Sequence, residues 1–302
     1  MIRAYILTLR SRIHSGRFLP LALAWHVLRL KKLFRVDFKV YPDAADREIE
    51  IDLVIPTISK DVALLEEMIA GAKKNILHRI RRVFIVSRDD NVLPAFCEKH
   101  GYSFVEERSV MGYGKERTAY KVNGVDRSGW MFQQILKLSS ESFVGTKNYL
   151  IIDSDTVLIK PHSFIENGKF IFAQNEEWHE PYFRTFKKLF GYEAPTSLSY
   201  TSHMMIFNTD KLRMMKAELE RRNGSSWDAV YMSTASESEM SCISDYDTYA
   251  NWVLHNFPDE VGNRAFYNKG LSRDRFSSLE QLTSKYGRRY NSLSFHSYIK
   301  VS

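Results

Sequence analysis

Between residues 49 and 152, four short apolar runs alternate with stretches whose apolar residues recur at helical spacing. No other feature constrains the fold as strongly. The runs are IEIDLVIPT (49–57), VFIVS (83–87), YSFVEE (102–107) and YLII (149–152). Residues 61–78 place Leu64, Leu65, Met68, Ile69 and Ala72 on one helical face; 92–100 suit a short helix and GWMFQQILKLSSESF (129–143) a longer one. Strands that alternate with helices predict an α/β fold, with a mostly parallel central sheet and helices on both faces. In such sheets ligands bind outside the carboxyl ends of the strands. Thr57, the turn Arg88-Asp89-Asp90-Asn91 and the pair Asp153/Asp155 all fall at such ends, so they are expected to share one rim.

The second half is less regular. KFIFAQN (169–175) and TSHMMIFN (201–208) are expected strands, separated by a long stretch that holds Trp178, His179, Tyr182 and Phe183. A helix is expected over 209–222 and a loop followed by a helix over 242–257. The chain closes on SLSFHSYIKVS, an apolar/polar alternation with His296 inside it.

The aspartates of YLIIDSDTV raise a chemical question. Two close carboxylates repel unless a cation lies between them, so Asp153 and Asp155 point either to a divalent metal or to a reactive carboxylate.

Charge is unevenly spread. Residues 1–40 hold nine Lys/Arg against Asp37 alone, a net +8, which leaves about −1 of the total +7 for residues 41–302. A near-neutral body argues against a nucleic-acid-binding domain, whose basic face would belong to the fold itself. The basic segment is interleaved with Leu, Ile, Phe and Trp25. Its longest stretch free of Arg and Lys, FLPLALAWHVL, has 11 residues, short of the roughly 20 that span a bilayer. Such a segment suits a helix lying on an anionic cytoplasmic leaflet, or an ordinary packed helix with solvated cations. Pro42 to Asp46 reads as the junction, giving an N-terminal segment over 1–45 and a globular domain over 46–302. The two cysteines, Cys97 and Cys242, are too few for a disulfide framework and fit free thiols in a reducing compartment.

An apolar strand, Asp-x-Asp, a short apolar run and then Pro161 together resemble the metal-binding signature of GT-A-fold nucleotide-sugar glycosyltransferases. Three further stretches resemble an uncharacterised bacterial family of such enzymes from polysaccharide gene clusters: Gly129-Trp130…Gln133-Gln134…Lys137, Ser202-His203-Met204-Met205, and Ser244-Asp245-Tyr246-Asp247…Tyr249. The resemblance spans about residues 49–298. It implies a GT-A domain using Mn²⁺ or Mg²⁺, a nucleotide-sugar donor (a UDP-sugar above all) and a glycan or lipid-linked acceptor. The setting it implies is surface polysaccharide or lipopolysaccharide synthesis at the cytoplasmic face of the inner membrane. On this reading Asp155 ligates the metal, Asp153 meets the ribose or the metal, and His296 supplies a third ligand. Pro56, Thr57, Asp61, Arg88, Gln133, Gln134 and Lys137 fall on the donor side. Lys115 and Arg117 are candidates to clamp the diphosphate. Asp245, with Asp247 as fallback, is the candidate base for the acceptor hydroxyl, and His203 falls on the acceptor side.

Two rivals stand beside this reading. Asp-Ser-Asp-Thr-Val also matches the opening of haloacid-dehalogenase-type phosphatases, with Asp153 as nucleophile, although there the motif sits on the first strand. A non-catalytic, membrane-associated assembly protein would be expected to carry a broken metal motif, and here the motif is intact.

Overall fold

A computed structural model describes residues 18–40, 44–176, 178–196, 198–236, 238–297 and 299. Residues 1–17 of the basic segment, and 41–43 of the expected junction, lie outside the described residues.

In chain order the elements are α1 (Phe18–Leu33), β1 (Glu50–Pro56), α2 (Val62–Asn75), β2 (Arg79–Ser87), α3 (Val92–His100), β3 (Ser103–Glu106), α4 (Glu107–Met111), the hairpin β4 (Lys121–Val122) and β5 (Val125–Asp126), and α5 (Ser128–Ser139). They continue with β6 (Asn148–Ile152), β7 (Thr156–Leu158), β8 (Ile165–Glu166), β9 (Lys169–Gln174), α6 (Glu180–Phe190), β10 (Met204–Asn208), α7 (Thr209–Asn223) and α8 (Trp227–Met232). Last come α9 (Asp245–Asn256), β11 (Val261–Ala265), β12 (Asn268–Ser272), α10 (Leu279–Tyr286) and β13 (Ser292–His296).

The central sheet has the order β10-β6-β1-β2-β3; only β10 runs antiparallel. The expected α/β fold with a mostly parallel sheet is therefore present. Parallel neighbours cannot be joined by a tight turn, so α2 and α3 carry the chain from β1 to β2 and from β2 to β3. After β3 the chain returns to the other side of β1 and lays down β6. The order thus reverses between β1 and β6, and the crevice at their carboxyl ends is where such sheets bind ligands. Pro56-Thr57 and Asp153–Asp155 flank that crevice.

Ile51, Leu53, Val54, Ile55, Leu150, Ile151 and Ile152 are buried in the core. Burial on both sides explains why β1 and β6 read as continuous apolar runs rather than alternating ones. β2 begins four residues earlier than its apolar run, because Arg79, Arg81 and Arg82 occupy an exposed first half. Downstream, β7 pairs antiparallel with β13, and β13 parallel with β12. This small sheet carries the C-terminal strand back beside Asp155, whose carbonyl accepts from Phe295 N at 2.8 Å.

Among the described residues, α1 is held to the body on one side only. Leu28 packs with Leu198 and Ala265, with Trp25 and Tyr267 against them. The Tyr267 hydroxyl reaches the carbonyls of Lys31 and Val36, and Lys32 pairs with Glu176. On the opposite side Leu23, Val27, Leu30 and Phe34, spaced four, three and four residues apart, are 45–74% exposed. That spacing makes them one outward stripe. No helix among the described residues is long and apolar enough to cross a membrane. Cys97 and Cys242 are free and buried.

Candidate active site

The carboxyl ends of β1, β2 and β6 open into a cavity of about 640 Å³. Pro56, Thr57, Asp61, Arg88, Gln133, Gln134, Lys137, Asp153, Asp155, Asp245 and His296 all line it. The structure therefore brings onto one rim residues that span 240 positions of sequence. Asp247 lies outside it. Its buried carboxylate accepts from Tyr200 N at 2.8 Å, Thr201 Oγ1 at 2.8 Å and Ser199 Oγ at 3.1 Å, tying the loop before β10 to α9. Lys115 lines the cavity, whereas Arg117 lies over the Tyr113 ring, 4.5 Å from its centroid.

The centre of the site is Lys137, on α5. Its spacing suits a solvated helix face or a ligand contact, but it is only 3% exposed because α9 packs across α5. Lys137 Nζ donates to Asp153 Oδ1 at 2.7 Å and to the Tyr246 hydroxyl at 3.2 Å, and lies 3.4 Å from Asp245 Oδ2. One buried cation thus serves two carboxylates unequally. At Asp153 burial favours the neutral acid, but the charge of Lys137 and the bond with His203 overcome it and hold the carboxyl far below its usual range. At Asp245 burial dominates; Lys137 offsets it in part, the charge of Asp153 adds to it, and the carboxyl is pushed up to about 6. Among the described residues, Asp245 Oδ2 is buried without a well-formed hydrogen bond. Two carboxylates whose environments drive their acidities apart are suited to different chemical tasks.

Asp245 opens α9. Ser244 caps the helix by accepting from Asp247 N at 3.1 Å, and the Gln134 side chain accepts from Asp245 N at 2.8 Å. Gln134, expected on the donor side, therefore also fixes the candidate base. His203 adopts φ +64°, a left-handed conformation that histidine tolerates better than most residues. There its carbonyl accepts from Asp153 N at 2.9 Å, and its Nδ1 faces Asp153 Oδ2 at 3.4 Å. Both Asp153 oxygens are thus engaged by protein groups.

Asp155 and His296, 141 residues apart, meet at the mouth, with Nδ1 3.2 Å from Oδ2. Two adjacent donors on an octahedral cation, each about 2.1 Å from it, lie about 3 Å apart, so this pair fits one edge of a hard divalent ion's shell. Among the described residues no group of three or more His, Cys, Asp or Glu side chains is close enough to hold a metal. A cation held there would find only these two such side chains among the described residues.

Sequence reasoning missed three groups. Arg273, after β12, donates to Asp61 Oδ1 at 2.5 Å and lines the cavity; no spacing marks it. Lys60 lines the cavity from the turn after β1. Tyr246 donates to Asp153 Oδ1 at 3.0 Å and was visible only as part of the Ser-Asp-Tyr-Asp stretch. Lys60 and Arg273, with Arg88, Lys115 and Lys137, surround the cavity with five Lys and Arg side chains.

The fold and rim define a mixed α/β protein whose ligand cavity lies at a sheet's topological switch point. The chain belongs to the family described as a family of unknown function (DUF6492), whose model matches residues 51–261. No curated protein matches it. Among solved structures it is similar to mouse xyloside xylosyltransferase 1 in its apo form, at 10% identity and TM-score 0.48, over 84% of this chain and 100% of that one. It is also similar to the galactosyltransferase LgtC in complex with donor and acceptor sugar analogues, at 11% identity and TM-score 0.45, over 83% of this chain and 88% of that one.

Proposed function

We propose that the chain is a GT-A-type glycosyltransferase that moves a sugar from a nucleotide-sugar donor to a glycan or lipid-linked acceptor. The observation that carries this reading is the pairing of Asp155 with His296 at the end of β6, in the same cavity as the elevated Asp245 carboxyl.

Transfer breaks a sugar–phosphate bond and leaves an anionic diphosphate. Asp155 and His296 would hold Mn²⁺ or Mg²⁺, which would supply charge neutralisation for that leaving group. Thr57 and Pro56 at the end of β1, with Trp130 and Gln133 of α5, form the wall suited to the nucleoside. Lys60, Arg88, Lys115 and Arg273 set a positive field over the diphosphate. Asp153, fixed by Lys137 and Tyr246, is placed to orient the ribose. Asp245 is placed to accept the acceptor hydroxyl's proton, since a carboxyl near 6 is largely ionised at neutral pH yet more basic than an exposed one.

The motif follows β6, the fourth strand of the central sheet in chain order, and not the first strand, which disfavours the phosphatase alternative. The outward apolar stripe of α1, within a segment of net positive charge, suits an anionic membrane surface, where a lipid-linked acceptor in surface polysaccharide synthesis would reside.

The test is a panel of UDP-, GDP-, dTDP- and CMP-sugars assayed for nucleotide release with and without Mn²⁺. Release dependent on Mn²⁺ and abolished by Asp155→Ala supports the reading. Phosphate release from phosphosugars, with no nucleotide release from any donor, would overturn it.

A further inference from the structure

A second cavity, of about 570 Å³, opens at the other end of the sheet, where β2 and β3 begin. Lys73, Ile80, Arg81, Arg82, His100 and Tyr102 are among its lining residues, and among the described residues no Asp or Glu lines it. It shares no residue with the catalytic cavity.

Its wall is not an ordinary strand surface. Successive side chains of a regular strand point to opposite faces, so Arg81 and Arg82 should not line one cavity. Here the register with β1 shifts: Ile51 pairs with Ile80, but Asp52 with Arg82, leaving Arg81 as an extra residue. Such a bulge re-aims the side chains around it. It turns Arg81 onto the buried Asp52, with Nε 3.0 Å from Oδ1 and Nη2 2.5 Å from Oδ2, and Asp52 also accepts from Gly145 N at 2.7 Å. Asp52 N, displaced from the ladder, donates to Thr146 Oγ1 at 3.0 Å. The distorted stretch thus keeps its hydrogen bonds, and its outcome is two neighbouring guanidinium groups on one concave surface.

Their charges are not equally neutralised. Arg81 is paired with Asp52, whereas Arg82 makes no ion pair among the described residues. Lys73, at the end of α2, contacts Tyr102 by its hydroxyl at 3.4 Å and over its ring at 4.6 Å from the centroid. His100 and Tyr102 lie nearly parallel, 13° apart, and form an aromatic side to the same cavity.

We propose that this cavity is a second, non-catalytic binding site for an acidic glycan. Arg82 and Lys73 meet the carboxylate or phosphate of one sugar unit, and the His100–Tyr102 side of the cavity borders an adjacent sugar unit. The anion chemistry stands on the cavity alone; the choice of a glycan rests on the glycosyltransferase reading. On that reading, the site would hold a growing acidic chain at the end of the sheet away from the transfer site.

The experiment measures binding of an oligogalacturonide hexamer to the full chain by calorimetry at low and at raised NaCl. Maltohexaose serves as the neutral control and inorganic phosphate as competitor. The expected result is salt-sensitive binding of the acidic hexamer, weakened about tenfold by either Arg82→Glu or Lys73→Glu. Neither exposed substitution should change nucleotide release from the donor, since neither residue lines the catalytic cavity. Inorganic phosphate that displaces the hexamer completely, with Tyr102→Ala leaving affinity unchanged, would reduce the site to a simple anion site and overturn the glycan assignment. Equal binding of maltohexaose, or undiminished hexamer binding by both charge-reversed variants, would overturn the proposal outright. Binding is read without turnover, so failure of the donor assay leaves this result interpretable.

Discussion

Replacing Asp245 by Asn separates what this carboxylate does for the reaction from what it does to the fold. In the folded chain its acidity constant moves from 3.8 to about 6, because burial outweighs the attraction of Lys137 and the nearby Asp153 charge adds to the effect. A shift of about 2 units corresponds to about 3 kcal/mol that favours the neutral acid. The elevated folded value sets the sign. The stabilising contribution of the protonated carboxyl is complete below about 3.8 and is lost as pH rises through about 6. At pH 7.5 the wild type therefore carries a buried charge that costs about 3 kcal/mol, and Asn carries none. The Asn variant should melt about 5 °C higher at pH 7.5 and within about 1 °C of the wild type at pH 4, the difference opening between those limits. Differential scanning calorimetry of both proteins across that range reads the effect, and groups common to both cancel. Sugar transfer should fall by about 10²-fold or more in the variant. A melting difference that is independent of pH, or a variant less stable than wild type at pH 7.5, would refute the reasoning.

The geometry sets three further outcomes. Lys137→Met leaves Asp153 and Asp245 buried together without their cation and should cost about 3–5 kcal/mol, visible as a lowered chemical-denaturation midpoint at pH 7.5. Mn²⁺ at about 100 times its dissociation constant should stabilise the wild type by about 2.7 kcal/mol, and His296→Ala or Asp155→Ala should remove most of that shift in a thermal assay while leaving the metal-free melting point near wild type. Asp52→Ala strands the Arg81 guanidinium and Gly145 N together and should cost about 3 kcal/mol, measured by urea unfolding.

The rim was legible in the sequence because topology dictates it. Apolar runs mark β1, β2, β3 and β6, and parallel strands gather at one end the residues that come directly after each of them. His296 is a candidate through the family resemblance; the alternation of SLSFHSYIK marks only the strand that carries it, and its partner Asp155 lies 141 residues away. Lys137 and Gln134 were legible as helix positions and, through the resemblance, as donor-side candidates, but not as buried residues. Their burial depends on α9 crossing α5, a contact between segments more than 100 residues apart that no local period encodes. Asp247 illustrates the converse. Its neighbour Asp245 opens into the cavity, but the next carboxylate on the same turn of α9 points to the loop before β10 and is used there. Arg273 carries no periodic signal at all, being placed by the pairing of β12 with β13. The early start of β2 was hidden because three arginines mask an edge of the strand that the bulge makes functional on our reading.

The one-sided seating of α1 has a mechanical consequence. A tail joined by a flexible linker lets its cargo tumble, but this helix is clamped through Trp25, Leu28 and the Tyr267 hydroxyl, while among the described residues its outer stripe is uncovered. On the proposed membrane-surface reading it would act as a bracket rather than a leash. A surface that took up the stripe would also set the tilt of the sheet and the direction in which the mouth of the cavity faces. Reach would then be set by the rigid body's own dimensions, and acceptor groups at one height above that surface would be favoured over those nearer or farther away.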